Sequence, residues 1–154
     1  MKKVLIGCPV RNRAWILPRY LESLRNLDYD PHKIEYCFVV NDSTDNTLEI
    51  LRNFKYEVLN PVRIINCNLQ GNNGHQRGQY SFFHLAILRN ILLDEFLKSD
   101  CEYLLSVDSD ILLPPNTIKA LQKPQSDIIS ALVCNGHEIG DEGIYNILNP
   151  TKEM

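Results

Sequence analysis

The chain has 154 residues, of which 44% are hydrophobic and 23% charged, and its formal net charge is −3. This length and composition are typical of one globular domain with a sizeable core, and they leave too little chain for two ordinary domains. The weakly acidic balance, with no long run of one sign, argues against a nucleic-acid partner, because a nucleic-acid-binding surface needs clustered Lys and Arg.

Strand-like and helix-like segments alternate along the chain. Short apolar runs predict strands, and apolar residues three and four apart predict amphipathic helices between them. In chain order the predicted elements are a strand over 4–8, a helix from about 15 to 27, a strand over 36–40, a helix carrying 48–54, a strand over 62–67, a loop over 68–78, a helix over 80–98, a strand over 103–107, a short helix around 118–121 and a strand over 127–133. This order predicts an α/β fold, a three-layer sandwich in which helices cover both faces of a mostly parallel, Rossmann-like sheet.

The alternating pattern ends near residue 135, and the remainder is rich in Gly, Glu, Asp and Asn. We therefore expect one domain over 1–135 and a tail over 136–154 that is either irregular or the beginning of something longer. The five cysteines are an odd number without a C-x-x-C pair, and four of them lie in or beside strand-like runs. Free cysteines of this kind usually pack as small hydrophobic side chains, which predicts a reduced, cytoplasmic protein. No apolar stretch approaches the roughly 20 residues needed to cross a bilayer, so no transmembrane segment is expected.

Polar side chains collect at the carboxyl ends of three predicted strands, whereas the strand interiors carry almost none. In an open parallel sheet, ligands bind beyond the carboxyl ends of the strands, near the point where strand order reverses. The three polar clusters cover 9–13, 41–46 and 108–110. We therefore expect them to line one cleft.

Asp108 and Asp110 form the most informative pair. Residues two apart on an extended strand point to the same side, so both carboxylates can face one ligand. Two like charges this close repel each other and lose hydration, whereas a hard divalent ion such as Mg²⁺ or Mn²⁺ relieves the repulsion and can bridge to a diphosphate. The alternative is an ordinary polar turn, since a D-x-D sequence alone is common. The apolar segments on both sides of this one favour the metal site.

Asp42 and two arginines are further candidates for ligand binding. A carboxylate at the end of a buried strand can accept hydrogen bonds from a nucleobase imide or from ribose hydroxyls. Its alternative role is to cap the next helix, for which Ser43 and Asp45 are also available. Arg11 and Arg89 are predicted to pair with phosphates or to close around Asp42, because a guanidinium matches oxyanions in fork geometry. For Arg89, a solvated position on the helix surface is an equal alternative.

Four segments of the chain together resemble a known family. They are Pro9-Val10-Arg11-Asn12, Asn41-Asp42-Ser43-Thr44-Asp45-Asn46-Thr47, Leu88-Arg89-Asn90 and Ser106-Val107-Asp108-Ser109-Asp110. In order and spacing they are similar to the P-x-x-N turn, the D-D-G-S-T-D-x-T segment, the A-R-N helix and the D-x-D of the family 2 glycosyltransferases. The resemblance covers about residues 3–135. Asn41 and Ser43 replace the usual Asp and Gly, and Leu88 replaces the usual Ala.

The resemblance implies a fold of the GT-A type that binds a nucleotide-diphosphate sugar, of the UDP or GDP kind, together with Mn²⁺ or Mg²⁺. A carbohydrate or another hydroxyl compound would be the acceptor. By the same resemblance Asp42 would contact the nucleobase, Arg89 would help to hold the nucleotide, Asp108 would meet the ribose or the metal, and Asp110 would ligate the metal. The nucleotide site as a whole would comprise Pro9, Arg11, Asn12, Asp42, Arg89 and Asp108.

The family's acceptor-binding half and its general base, an Asp or Glu well downstream of the D-x-D, have no evident counterpart. Asp141 and Glu142 are weak candidates for the base, and His137 is a weak candidate for a further metal ligand. Two readings therefore stay open: a glycosyltransferase or its donor-binding half, and a nucleotide-sugar-binding module without turnover. If the donor face is apolar where an acceptor half would pack, self-association into a homo-oligomer is expected.

A phosphatase of the haloacid dehalogenase type is disfavoured, because its D-x-D follows the first strand of the fold. A sugar nucleotidylyltransferase is disfavoured as well, because the first loop lacks a Gly-rich phosphate cradle.

Overall fold

The computed structural model describes residues 1–69, 82–124 and 126–131. Within these residues the regular elements are β1 (Val4–Val10), α1 (Leu17–Arg25), a short 3₁₀ helix (Pro31–Lys33), β2 (Ile34–Asn41), α2 (Thr47–Glu57), β3 (Val62–Cys67), α3 (Phe82–Leu97), β4 (Tyr103–Ser106) and α4 (Thr117–Gln122). The chain divides into two compact units, 1–117 and 118–154, and all four described strands belong to the first. The predicted domain boundary at residue 135 lies outside the described residues and stays a prediction.

The four strands form one parallel sheet in the order β3-β2-β1-β4. Val4 of β1 is in register with Ile34 of β2 on one side and with Tyr103 of β4 on the other. After β1 the chain adds β2 and β3 on one side and then crosses to the other side for β4. Strand order therefore reverses between β1 and β4, and this reversal is the place where open α/β sheets bind ligands at their carboxyl edge.

One face of the sheet is covered by α3. Residues that alternate along the strands turn the same way, so Leu5, Cys37 and Val39 share this face and pack against Leu88 and Leu92 of α3. Gly7 of β1 lies on the same face, and a Cβ there would overlap the Leu92 side chain. The missing side chain of Gly7 is what lets α3 approach β1 closely.

The other face of the sheet is covered by α1 and α2. Phe54 of α2 makes edge-to-face contacts with Tyr36 and Phe38 of β2, at ring-centroid distances of 5.3 and 6.0 Å. The side chains that α1 turns inward, at the three-four spacing expected from the sequence, are buried: Leu17, Tyr20, Leu21 and Leu24. Helices on both faces of a parallel sheet confirm the predicted three-layer α/β sandwich.

Two elements differ from the sequence prediction. β1 continues through Pro9 to Val10, because its register with β4 ends at Gly7 and only β2 runs beside it there, so the missing N–H of Pro9 leaves no β4 partner unsatisfied. The strand predicted over 127–133 is wrong over its described part, since 127–131 contains no strand and Ile128 is 91% exposed. A short apolar run becomes a strand only where a neighbouring strand accepts its backbone hydrogen bonds, and none of the described strands pairs with it.

Among the described residues, no helix combines the length and the apolar character needed to span a membrane. The cysteines in the described part, Cys8, Cys37, Cys67 and Cys101, are all free thiols. Cys8 and Cys37 are buried, as expected of cysteines that pack as small hydrophobic side chains.

Candidate functional site

The three polar clusters predicted from the sequence lie at the carboxyl ends of β1, β2 and β4. The β1–α1 and β2–α2 loops are joined by hydrogen bonds centred on Asn12. The Asn12 amide donates to Ser43 Oγ at 3.1 Å, and Asn12 Oδ1 accepts from the Thr44 amide at 2.7 Å. The two clusters therefore form one continuous rim rather than two separate turns.

A second set of hydrogen bonds joins the same loops closer to the helices. The Arg13 amide donates to Oγ1 of the fully buried Thr47 at 2.8 Å, and the Ala14 amide donates to Asp45 Oδ2 at 3.0 Å. Asp45 Oδ1 also accepts from the Thr47 amide at 3.0 Å. Partial burial acts to raise the pKa of Asp45, but the hydrogen bonds from Thr47 and Ala14 outweigh it and hold the pKa below its ordinary value. The ionised form of Asp45 is therefore part of the folded site.

The backbone is strained at two points of this rim. Asn12 has a φ of 48° and Asp42 a φ of 44°, both in the left-handed region that residues with a side chain seldom adopt. Asn and Asp tolerate it best because their short polar side chains can bond locally. Strained residues held by their surroundings are concentrated at functional sites, and here they sit directly after β1 and β2.

Asp42 is half-buried and bonds to the segment that follows β3. Its amide donates to the Cys67 carbonyl at 3.2 Å, and its Oδ2 accepts from the Leu69 amide at 3.2 Å. The N-cap position of α2 is Asn46, which makes no side-chain capping bond. These contacts of Asp42 therefore do not cap α2, which was the alternative role considered for it.

Asn41, the residue before Asp42, was not assigned a site role from the sequence. It is 3% exposed, and its Oδ1 is buried without a hydrogen-bond partner in the described part of the chain. A polar residue directly after the apolar run 36–40 was the available signal.

Asp108 and Asp110 follow β4 in a turn. Both carboxylates are exposed, while the alternating residues Val107 and Ser109 are buried. The shared orientation expected from their spacing requires an extended strand, whereas β4 ends at Ser106 and the pair lies beyond it. Two exposed carboxylates two residues apart offer oxygen donors of the kind that suits a hard divalent ion.

Each of the two carboxylates faces an arginine. Arg89 of α3 donates through Nη2 to Asp108 Oδ1 at 3.0 Å and through Nη1 to Ser106 Oγ at 2.9 Å. Arg13 places its Nη2 3.7 Å from Asp110 Oδ2, and its Nη1 donates to the Arg11 carbonyl at 3.3 Å. The structure brings Arg89 to the D-x-D rather than to Asp42, and its pairing with phosphates stays a prediction.

Arg13 had no role in the sequence prediction. Its signal was its place in the same polar cluster as Arg11, and only the fold shows that it reaches the turn after β4. Arg11 itself is half-buried in that cluster, and Pro9 lies in β1 just before it.

The buried Cys8 lies behind the D-x-D turn. Burial raises the pKa of the Cys8 thiol to about 12, and the negative charges of Asp108 and Asp110 act in the same direction. Cys8 is therefore a neutral packing residue, and burial is the main reason for its raised pKa.

In the described residues, one set of three side chains could hold a metal ion by ligand geometry, and it is elsewhere: Glu35, Asp100 and Cys101. These residues lie at the amino ends of the strands, where Lys3 Nζ is 2.6 Å from both Glu35 Oε1 and Asp100 Oδ1. An ammonium group already neutralises these carboxylates. The three late candidates, His137, Asp141 and Glu142, lie outside the described residues.

The chain is similar in sequence to two groups of curated proteins. The mannan polymerase II complex anp1 subunit of Schizosaccharomyces pombe is 41% identical over 51 residues, which are 33% of this chain and 12% of that protein. A glycosyltransferase 25 family member of Drosophila melanogaster is 24% identical over 139 residues, which are 84% of this chain and 23% of that protein. The chain therefore spans only a small part of the length of either relative.

Two solved structures share the fold at low sequence identity. Residues 1–349 of S. aureus TarS in complex with UDP match with a TM-score of 0.59 and 23% identity, over 77% of this chain and 30% of that one. The mannosyltransferase PcManGT from Pyrobaculum calidifontis in complex with GDP-Man and Mn²⁺ matches with a TM-score of 0.62 and 21% identity, over 86% of this chain and 35% of that one. The predicted resemblance to a glycosyltransferase of the GT-A type is confirmed. Because the Anp1 family model matches residues 1–148, the chain belongs to the Anp1 family and has the GT-A glycosyltransferase fold.

Proposed function

We propose that this chain binds a nucleotide-diphosphate sugar together with a divalent metal, and that it forms the donor side of a glycosyltransferase. The observation that carries the proposal is the meeting of two exposed carboxylates, Asp108 and Asp110, with two arginines at the reversal of strand order. Arginines and a metal-binding pair side by side are the groups that a diphosphate needs.

The residues of the rim divide into a metal part and a nucleotide part. Asp108 and Asp110 would hold Mn²⁺ or Mg²⁺, which when bound supplies positive charge to a leaving diphosphate. Arg89 and Arg11 would pair with phosphate oxygens. Asp42 would accept hydrogen bonds from the base or the ribose.

Pro9 and Asn12 would shape this pocket through the backbone. Pro9 lies in β1 beyond Gly7, where the pairing with β4 ends, and the hydrogen bonds of Asn12 hold the two loops together. Two similar structures are named for complexes with UDP and with GDP-Man and Mn²⁺, which supports a ligand of this class without choosing the base or the sugar.

Transfer requires a general base to activate an acceptor hydroxyl, and the described residues offer no base assigned to that task. Asp141 and Glu142 stay candidates for it. The second function, a nucleotide-sugar-binding module without turnover, is therefore retained as the alternative, as is the reducing, cytoplasmic location predicted from the cysteines.

Binding and transfer are tested in two steps on the 154-residue chain. Calorimetric titration with UDP and GDP, each with and without Mn²⁺, is expected to give metal-dependent binding of at least one nucleotide. A nucleotide affinity that is the same with and without Mn²⁺ would contradict the role of Asp108 and Asp110. A hydrolysis and transfer assay with UDP- and GDP-sugars then separates an enzyme from a module, and turnover on the order of 1 s⁻¹ would make Asp141 and Glu142 the first residues to replace.

A further inference from the structure

Arg13 is more firmly held than a surface arginine. Its amide donates to the buried Thr47 hydroxyl at 2.8 Å, and its Nη1 donates to the Arg11 carbonyl at 3.3 Å. Its side chain is 25% exposed, against 44% for Asp110. Because both the backbone and the guanidinium of Arg13 are held, the side chain loses little conformational freedom when it binds a ligand.

The 3.7 Å separation from Asp110 gives Arg13 two opposite electrostatic effects. A divalent ion at Asp110 would stand next to a positive charge, which disfavours the ion when it arrives alone. A diphosphate that arrives with the ion brings several negative charges, and the guanidinium then gains oxyanion partners in fork geometry. The same side chain would weaken the binding of the free metal ion and strengthen the binding of the metal together with a diphosphate.

We propose that Arg13 is a specificity-determining residue that makes the Asp110 site select a metal–nucleotide-diphosphate complex over the free metal ion. In the ligand-free protein Arg13 faces Asp110, and in the complex its guanidinium, held in the same place, also pairs with the phosphate oxygens. The metal and the nucleotide therefore promote each other's binding through Arg13, as linkage requires of two coupled ligands. This inference rests on the proposed function, because it takes Asp110 as a metal ligand.

The test compares Arg13→Gln with the unchanged chain in two titrations. The first follows Mn²⁺ alone by electron paramagnetic resonance, and the second follows UDP and GDP calorimetrically in saturating Mn²⁺. We expect Arg13→Gln to bind Mn²⁺ alone about two- to fivefold more tightly, as for the loss of an exposed charge interaction. We expect it to bind the nucleotide roughly tenfold more weakly, as for a lost hydrogen bond to a charged group.

Two further variants serve as controls. Arg13→Lys keeps the charge without the fork, so it should keep the unchanged affinity for Mn²⁺ and lose part of the nucleotide affinity. Arg52→Gln replaces an exposed arginine of α2 and should change neither titration. Thermal unfolding of each variant shows whether the loop is intact.

The outcomes separate the two proposals. Opposite changes in the two titrations support the role of Arg13. Equal weakening of both ligands, or no change in either, overturns that role and leaves the proposed function standing if the unchanged chain binds a nucleotide with Mn²⁺. Failure of the unchanged chain to bind UDP or GDP with Mn²⁺ overturns both.

Discussion

A cluster of two positive and two negative side chains lies at each edge of the sheet, but the two clusters are built differently. At the amino edge, Lys3 lies 2.6 Å from Glu35 and from Asp100, and Arg63 lies 2.5 Å from Glu35. Glu35 is only 5% exposed, so this amino-edge cluster (Lys3, Glu35, Arg63 and Asp100) is closed around a buried carboxylate. Because the charges of this cluster are already paired with one another, few of its groups are available to bind a ligand.

The carboxyl-edge cluster consists of Arg13, Arg89, Asp108 and Asp110. Its two ion pairs are 3.0 and 3.7 Å long, and their side chains are between 25% and 56% exposed. Exposed pairs of this kind contribute little stability, so they can be exchanged for a ligand without unfolding the protein. Equal numbers of charges therefore stabilise the fold at one edge and are available for binding at the other.

The substitution with the largest expected effect disrupts the amino-edge cluster. Glu35→Gln removes the buried charge that pairs with Lys3 and Arg63, and it should lower the free energy of unfolding by about 2–3 kcal/mol, less than for fully buried pairs because both cations reach water. Urea denaturation measures the loss. The affinity for nucleotide with Mn²⁺ should stay the same, and a parallel loss of affinity would mean that the two edges are not independent.

Asp110→Asn breaks the carboxyl-edge cluster instead. We expect nucleotide binding in Mn²⁺ to weaken roughly tenfold or more because one of the two proposed metal ligands is lost. The free energy of unfolding should change by less than about 1 kcal/mol, because the pair with Arg13 is exposed and the repulsion from Asp108 is also removed. Calorimetry and urea denaturation measure the two effects. Asp94→Asn, an exposed site on α3, is the matched control, and a similar weakening there would refute the assignment of Asp110.

Asp42→Ala distinguishes recognition of the base or ribose from recognition of the phosphates at the carboxyl edge. The loss of a hydrogen-bond partner for the base or ribose should weaken UDP binding by about 1–2 kcal/mol while leaving pyrophosphate binding unchanged. Parallel titrations with both ligands in Mn²⁺ measure the difference. Since Asp42 is strained at a φ of 44°, Asp42→Asn is the control that tolerates this backbone and keeps an acceptor for the Leu69 amide. Equal weakening for UDP and pyrophosphate would assign Asp42 to the phosphates or to the fold.

The smallest effect concerns Asp45 and pH. Because its folded pKa is lowered, its contribution to stability is fully present above the pKa of the unfolded chain and is lost as pH falls through the folded pKa. Asp45→Asn should therefore lower the free energy of unfolding at pH 7 by about 1 kcal/mol or less, because the group is exposed, and the difference should shrink as the pH falls through the folded pKa of Asp45. Urea denaturation at pH 7 and at a series of acidic pH values tests this, and a difference that does not change with pH would show that the charge of Asp45 is not what matters.

The sequence alone determined the features that depend on local patterns. Apolar periodicity located β1 to β4 and α1 to α4 to within a few residues, and the polar residues after the strands located the rim that holds Asp42, Asp108 and Asp110. These features are local because a side chain's burial repeats with the period of its own helix or strand. The segment 127–133 has the same local pattern, but no described strand pairs with it. The strand predicted there is wrong over its described part.

Only the tertiary structure decided which distant residues meet. The order β3-β2-β1-β4 brings the loop after β1 beside the turn after β4, and so pairs Arg13 with Asp110. Gly7 has no side chain that would exclude Leu92, so α3 packs closely against β1. This close packing places Arg89 of α3 beside Asp108. Periodicity does not encode such pairings, because they depend on how the crossovers run and how closely side chains on different elements can pack. The sequence thus placed the carboxylates at the ends of the strands, and the packing of distant elements assigned each arginine to its carboxylate.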